Sequence, residues 1–494
     1  MKRSKFSLSH YRLMTCNMGN LIPMAVTEAL PGDTIQQSTS ILLRASPLLS
    51  PVMHPVRVRV HHWYVPYRLL WDKWEDFITG GPDGMDASVF PTILAGGTGF
   101  AVGSLGDHMG LPTGLATLSV SALPFRAYAL IWNEHYRDQD LQPELPVSIT
   151  SGVDGTTSRA MQNCAWEKDY FTSARPWEQK GPTISIPIGT SAPVNPITAS
   201  SAPAFRAGGG GAPTATDLRF AAANSAAQWG SQSPSTTGAI WASSGLQADL
   251  SNASAVTVSR LRQAMALQRF EEARARYGSR YVEYLRYLGV KSSDARLDRP
   301  EYLGGGKQTI QFSEVLQTAE GEATPVGEMR GHGISAMRSN RYRRFFEEHG
   351  IIISLLSVQP KTIYMQGVKR MWNKRVKEDY WQKELQHIGQ MPILNKELYA
   401  AHASPDATFG YQDRYDEYRR SESNVTGQFR QTILNYWHLS REFATAPALN
   451  GTFVECVPTE RIFADNADDV LYVMANHSIQ ARRLVAQQGK SFIY

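Results

Sequence analysis

Five cations fall within nine residues, Lys369-Arg370-Met371-Trp372-Asn373-Lys374-Arg375-Val376-Lys377, with one tryptophan and no acid among them. Ammonium and guanidinium groups neutralise phosphates, and an indole offers a face on which a base stacks, so this is a composition suited to single-stranded nucleic acid. The competing reading is a solvated face or an ion-paired surface between subunits. A second cluster, Arg338, Arg341, Arg343 and Arg344 around Tyr342, is diluted by Glu347 and Glu348.

Other chemistry-bearing groups do not assemble into a site. Gly304-Gly305-Gly306-Lys307-Gln308-Thr309 resembles a phosphate loop, but Glu301 stands where the first glycine belongs and Gln308 replaces the magnesium-binding hydroxyl. A glycine-rich turn is the expectation there. His61 and His62 are adjacent in an alternating segment, so their rings point to opposite faces and do not converge on one ion. Cys16, Cys164 and Cys456 are odd in number and far apart, which suggests neither a disulfide framework nor a zinc site and fits folding in a reducing cytosol. Asp465 to Asp469 lacks the glycine and the closing glutamate of a calcium loop and reads as a capped turn. No metal, cofactor or catalytic residue is expected.

The elements that must carry these groups are mostly strands. Val56, Val58 and Val60 alternate with Arg57, Arg59 and His61, the period-two pattern of a strand with one buried face. Further strands are expected at Thr183 to Ile188, Ile351 to Val358, Thr452 to Val457 and Val470 to Met474, and a helix over Val258 to Arg276 closed by Gly278. The βαβ alternation of nucleotide-binding folds is missing, as is any repeat of the kind that builds solenoids. What remains is a mainly β chain, a sandwich or jelly roll with large loop insertions containing short helices.

Composition narrows the class further. The chain has 494 residues, 42% hydrophobic, with 11 Trp, 21 Tyr and 18 Phe, enough to build a substantial core and sticky surfaces. Its formal charge of +5 permits an anionic partner without requiring one. No apolar run is long enough to cross a membrane, and Ser7, Ser9, His10 and Arg12 interrupt any signal-like core behind the basic N-terminus. Between 190 and 255, Ala, Gly, Ser, Thr and Pro dominate and only Arg206, Asp217, Arg219 and Asp249 are charged. Such a stretch reads either as a linker or, given Phe205, Phe220, Trp229, Ile240 and Trp241 spaced through it, as an ordered surface loop packed against copies of itself.

Several segments read in order resemble one family. Phe6-Ser7-Leu8-Ser9-His10, Leu30-Pro31-Gly32-Asp33, His61-His62-Trp63-Tyr64-Val65-Pro66, Leu123-Pro124-Phe125-Arg126-Ala127-Tyr128, Asp169-Tyr170-Phe171-Thr172, Pro300-Glu301-Tyr302-Leu303-Gly304-Gly305 and Tyr436-Trp437-His438 are similar to the major capsid proteins of microviruses, in their gokushovirus-like branch. The resemblance covers most of the chain and lapses between 190 and 255. It implies a single eight-stranded jelly roll over 1–494 and a T=1 icosahedral shell of this chain. It also implies assembly in the bacterial cytoplasm and a virion enclosing a circular single-stranded DNA genome. Implied partners are further copies of the chain, an internal scaffolding protein, a pilot or minor capsid protein, a small basic DNA-binding protein and a host surface receptor, without membrane insertion. The 190–255 stretch is similar in position to the insertion that projects at the threefold axes, which would make Phe205, Phe220, Trp229 and Trp241 host-attachment residues. The alternatives are a single-stranded nucleic-acid-binding protein built on Lys369 to Lys377 and a carbohydrate-active β-sandwich enzyme.

Overall fold

The structure, a computed structural model, describes residues 3–182, 184, 258–278, 280–318 and 326–487, together with the backbone of six short strands between 194 and 248. The chain divides into two compact units, Met1–Lys180 with Glu272–Tyr494, and Gly181–Glu271.

In the first unit the chain runs through β1 (Ser4–Ser7), β2 (His10–Cys16), β3 (Leu21–Ala29), β4 (Thr34–Ala45) and β5 (Val56–Pro66), then helix α1 (Leu123–Ile131). The helix α2 (Val258–Tyr277), which begins in the second unit and ends in the first, and α3 (Tyr281–Tyr287) precede β6 (Glu301–Thr309), β7 (Gln311–Leu316), β8 (Met329–Arg338), β9 (Tyr342–Phe345) and β10 (Gly350–Pro360). The hairpin β11 (Gln390–Leu394) and β12 (Thr408–Asp413) and the long β13 (Leu471–Arg483) complete the set used below. A seven-stranded sheet runs β1-β13-β4-β8-β7, with β2 also on β13 and β9 also on β4; a four-stranded sheet runs β6-β5-β10-β3. Every strand pairing in both is antiparallel.

The two sheets close on one another through a shared core. Ile41, Leu43, Val473 and Ala475 come from the larger sheet, and Ile22, Met24, Val56, Val58, Val60, Leu356 and Val358 from the smaller. The alternation in β5 is the cause: Val56, Val58 and Val60 are fully buried while the arginines between them stay half-buried. All of β10 is buried, as an apolar run in a central strand must be, since it pairs with β5 on one side and β3 on the other. His62 and His61 do part to opposite faces. His62 lies buried between Ser354 Oγ at 2.8 Å and Ser339 Oγ at 3.2 Å, whereas His61 Nδ1 meets Tyr136 Oη at 2.7 Å.

Two expectations are corrected. Gly304 to Gly306 form no turn but lie inside β6, opposite His62, His61 and Val60, with a bulge at Tyr302/Gly304. Crowding explains the glycines: a Cβ on Gly305 would stand 2.1 Å from Val60 O, and one on Gly306 would stand 2.8 Å from Ser339 Cα. Residues Thr452 to Val457 are not a strand either. The Asn450 side chain accepts from Phe453 N at 3.0 Å and caps a single helical turn, Gly451–Val454, which turns Phe453 and Val454 inward. Of Thr183 to Ile188, all but Ile184 falls outside the described residues.

The expected helix forms as α2, and Gly278 at φ +93° donates its N–H to Arg274 O at its end. The three cysteines are buried and free. Among the described residues no helix is long and apolar enough to cross a membrane. In the second unit the backbone forms short antiparallel pairs that set Phe205 opposite Trp241 and Leu218 opposite Trp229, with Phe220 opposite Ala227.

Candidate nucleic-acid interface

The basic segment follows β10 on irregular backbone, held by Val368 N donating to Lys396 O at 2.9 Å. Two single 3-10 turns, Arg370–Trp372 and Lys377–Asp379, shape it. Asp379 Oδ2 accepts from the Arg375 and Val376 amides at 2.7 and 3.0 Å, fixing the bend between the turns.

This arrangement divides the five cations into two kinds. Arg370 points inward, donating to Pro392 O at 2.7 Å and Glu397 Oε1 at 2.9 Å. The Glu397 side chain is only 1% exposed, and burial holds its carboxyl above the ordinary carboxylate value even though Arg370 opposes that shift. Lys374 also points inward, its side chain 6% exposed, with Nζ 2.7 Å from Tyr418 Oη, 3.1 Å from Glu417 Oε1 and 4.0 Å from the Tyr418 ring centroid. Burial works against its charge, but Tyr418 and Glu417 hold the ammonium above its usual value.

Lys369, Arg375 and Lys377 instead face solvent. Arg375 Nη1 donates to the Trp372 and Lys374 carbonyls at 3.1 and 3.0 Å, which leaves the rest of its fork free to bind. Lys377 is 3.7 Å from Glu378, a separation at which an exposed pair contributes little. Trp372 is 66% exposed beside a similarly open Met371. Three solvent-facing cations and one open indole therefore share this surface, and two further cations brace the loop from beneath. A cavity of about 290 Å³ opens behind it, between Phe171, Tyr364, Glu417 and Tyr418.

The bracing acids were invisible to a reading of the nine residues alone, because Glu397 and Glu417 arrive from the helical turn after β11 and from the turn after β12. The second arginine cluster also splits. Tyr342 is buried and donates to Gln37 Oε1 at 2.7 Å, Arg344 pairs with Glu301 at 2.6 Å, and Arg338, Arg341 and Arg343 are exposed. Elsewhere in this unit Tyr277, Tyr281, Tyr284 and Tyr287 stand open on α2 and α3, a surface of the composition that protein interfaces favour.

An antiparallel sandwich with long insertions, open aromatic surface and an exposed basic loop has the features of a shell subunit, whose surface is completed by its own copies. The comparisons specify the shell. Residues 1–488 match the family model described as Capsid protein (F protein), and the chain belongs to that phage capsid family. Its relatives include capsid protein VP1 of Bdellovibrio phage phiMH2K, 37% identical over 93% of this chain and 89% of the relative. Capsid protein VP1 of Chlamydia phage 1 is 35% identical over 94% and 91%, and that of Spiroplasma virus 4 is 31% identical over 92% and 87%. The chain is thus a major capsid protein, a structural component of a phage virion that assembles with copies of itself.

Proposed function

We propose that this subunit builds a T=1 icosahedral shell around a circular single-stranded DNA genome and touches that genome through Lys369, Arg375, Lys377 and Trp372. The observation that carries the contact is the exposed indole beside three solvent-facing cations, set on a loop that Arg370 and Lys374 anchor internally. Charge limits what the contact does. About 60 chains at +5 supply roughly +300, whereas encoding this chain alone takes about 1,500 nucleotides, each carrying one phosphate charge. Most compensation therefore comes from a small basic packaged protein, polyamines or metal cations, and the shell positions selected stretches. An internal scaffolding protein and a pilot protein complete the assembly in this reading. The 190–255 insertion, with Phe205, Phe220, Trp229 and Trp241, serves as a threefold host-attachment protrusion. Exchanging 195–250 for a Gly/Ser linker then leaves particles that assemble but adsorb poorly to host cells, and normal adsorption would remove that role.

Sedimentation of virions tests the shell. A closed particle of about 60 copies is expected from T=1 symmetry. A particle of a different copy number would overturn it.

A further inference from the structure

The outer face of the larger sheet carries apolar groups where a solvent face is usually polar. Leu13, Met474 and Leu42 stand directly opposite one another across β2, β13 and β4, and the next row on the same face is Thr15, Tyr472 and Arg44. An antiparallel sheet with its other face in the core normally turns polar side chains outward, yet Leu13 is 70% exposed and Met474 and Tyr472 are half-exposed. Together with Val102, Gly103 and Asp107 these residues line a groove of about 570 Å³. Arg44 in its lining is exposed and makes no hydrogen bond or ion pair among the described residues. The nearby acids are engaged, Asp107 Oδ2 accepting from Gly103 N at 2.8 Å and Asp469 Oδ2 from Thr15 Oγ1 at 2.6 Å. Arg12, the other guanidinium of the lining, donates to the Met24 and Asp107 carbonyls at 3.3 and 3.1 Å. The groove thus offers apolar walls and one uncompensated cation.

An exposed turn of the same unit has the matching chemistry. Asp86 N donates to Gly80 O at 2.9 Å to close it, Gly84 stands at φ +75°, and Met85 is 80% exposed between Asp83 and Asp86. Asp83 Oδ1 accepts from the Met85 amide at 3.0 Å, which fixes the carboxylate beside the thioether, and Asp83 Oδ2 has no partner among the described residues. We propose that Met85 of each subunit seats in the groove of a neighbouring copy with Asp83 on that copy's Arg44, an inference that rests on self-assembly and not on the genome contact. Charge selects this occupant: the open apolar groups at Met371, Trp372 and Val376 are set among Lys369, Arg375 and Lys377, which Arg44 repels. A flexible thioether also fills an irregular apolar groove well. The turn does not line the groove of its own subunit. Knob and groove are different surfaces, so the contact is heterologous and closes as a ring, about the threefold or fivefold axis of an icosahedral shell.

The test uses the full-length chain in virions. Asp83→Arg and Arg44→Glu each lower particle yield by about tenfold while the urea midpoint of the subunit stays in place, and the two together restore the yield. Separately, virions carrying Met85→Cys with Leu13→Cys are oxidised with diamide and run on non-reducing gels, the native cysteines being buried. A ladder of crosslinked subunits that ends at the ring size is expected, and neither single variant forms it. A crosslinked pair that goes no further means a twofold contact and overturns the ring. No crosslink, or normal yield from both charge variants, overturns the docking. Loss of yield without crosslinking assigns the groove to a different virion component and overturns it as well. Were a charge variant to misfold, the crosslink would still decide.

Discussion

The β-sandwich and the basic loop solve opposite problems with the same side-chain chemistry. In the sandwich, buried polar side chains pair with one another: His62 sits between two serines, and Gln37 links Tyr342 to Ser354. In the loop, two cations are drawn in so that three others can be held out. The sandwich therefore turns these polar groups toward one another, whereas the loop is a closed base carrying an open face. A run of like charge is not a single functional unit, and burial separates its bracing members from its binding members.

The largest effect that sharpens this contrast belongs to the sandwich. Leu356 is fully buried in the core that both sheets share, so Leu356→Ala costs about 2–5 kcal/mol in urea unfolding, with particle yield falling in parallel. Next comes the base of the loop. Glu397→Ala leaves Arg370 inside the protein without its carboxylate and costs about 3 kcal/mol, although no residue of the basic segment has changed. A loss below about 0.5 kcal/mol would mean that Arg370 simply swings out to solvent, and the division into two kinds of cation would collapse.

Acid separates the two regions by a smaller margin. Burial lowers His54 and His477 from 6.5 to about 4 and His62 to about 3, so these rings are neutral in the fold and take up protons when the chain unfolds. Their contribution is complete above pH 6.5 and lost as the pH falls toward 4. Between pH 7 and pH 5 each such ring removes about 1–2 kcal/mol. His62→Gln reduces the pH dependence of the urea midpoint by one such increment, and an unchanged dependence would show that His62 is not buried neutral.

The smallest stability effect belongs to the open face. Replacing Lys369, Arg375 and Lys377 together by alanine shifts unfolding by less than about 0.5 kcal/mol. The same variant lowers the salt slope of single-stranded DNA binding by about 2. Arg370→Ala is expected to show the reverse, with stability falling sharply and the salt slope nearly preserved.

How far the sequence disclosed this depends on where each residue's partner lies. The alternation of Val56, Val58 and Val60 and the apolar run from Ile351 to Val358 identify β5 and β10, because burial imposes a local period. The antiparallel sandwich follows from such strands without a βαβ pattern. Gly304 to Gly306 mislead because their cause is non-local: the approach of Val60 and Ser339 admits no side chain there. Thr452 to Val457 mislead through β-branched residues that a cap at Asn450 overrides. For the basic loop, the residue types pointed to phosphate chemistry, and the open indole suits it. The bracing by Glu397 and Glu417 has no local signature, since both acids reach the loop only through the fold.

Electron cryomicroscopy of genome-filled virions tests the central claim most directly. The account predicts that Trp372 and Lys377 line the lumen with nucleic-acid density against them, while Arg370 and Lys374 remain paired inside the subunit. Trp372 and Lys377 found on the outer surface, or enclosed between subunits without DNA density, would contradict it.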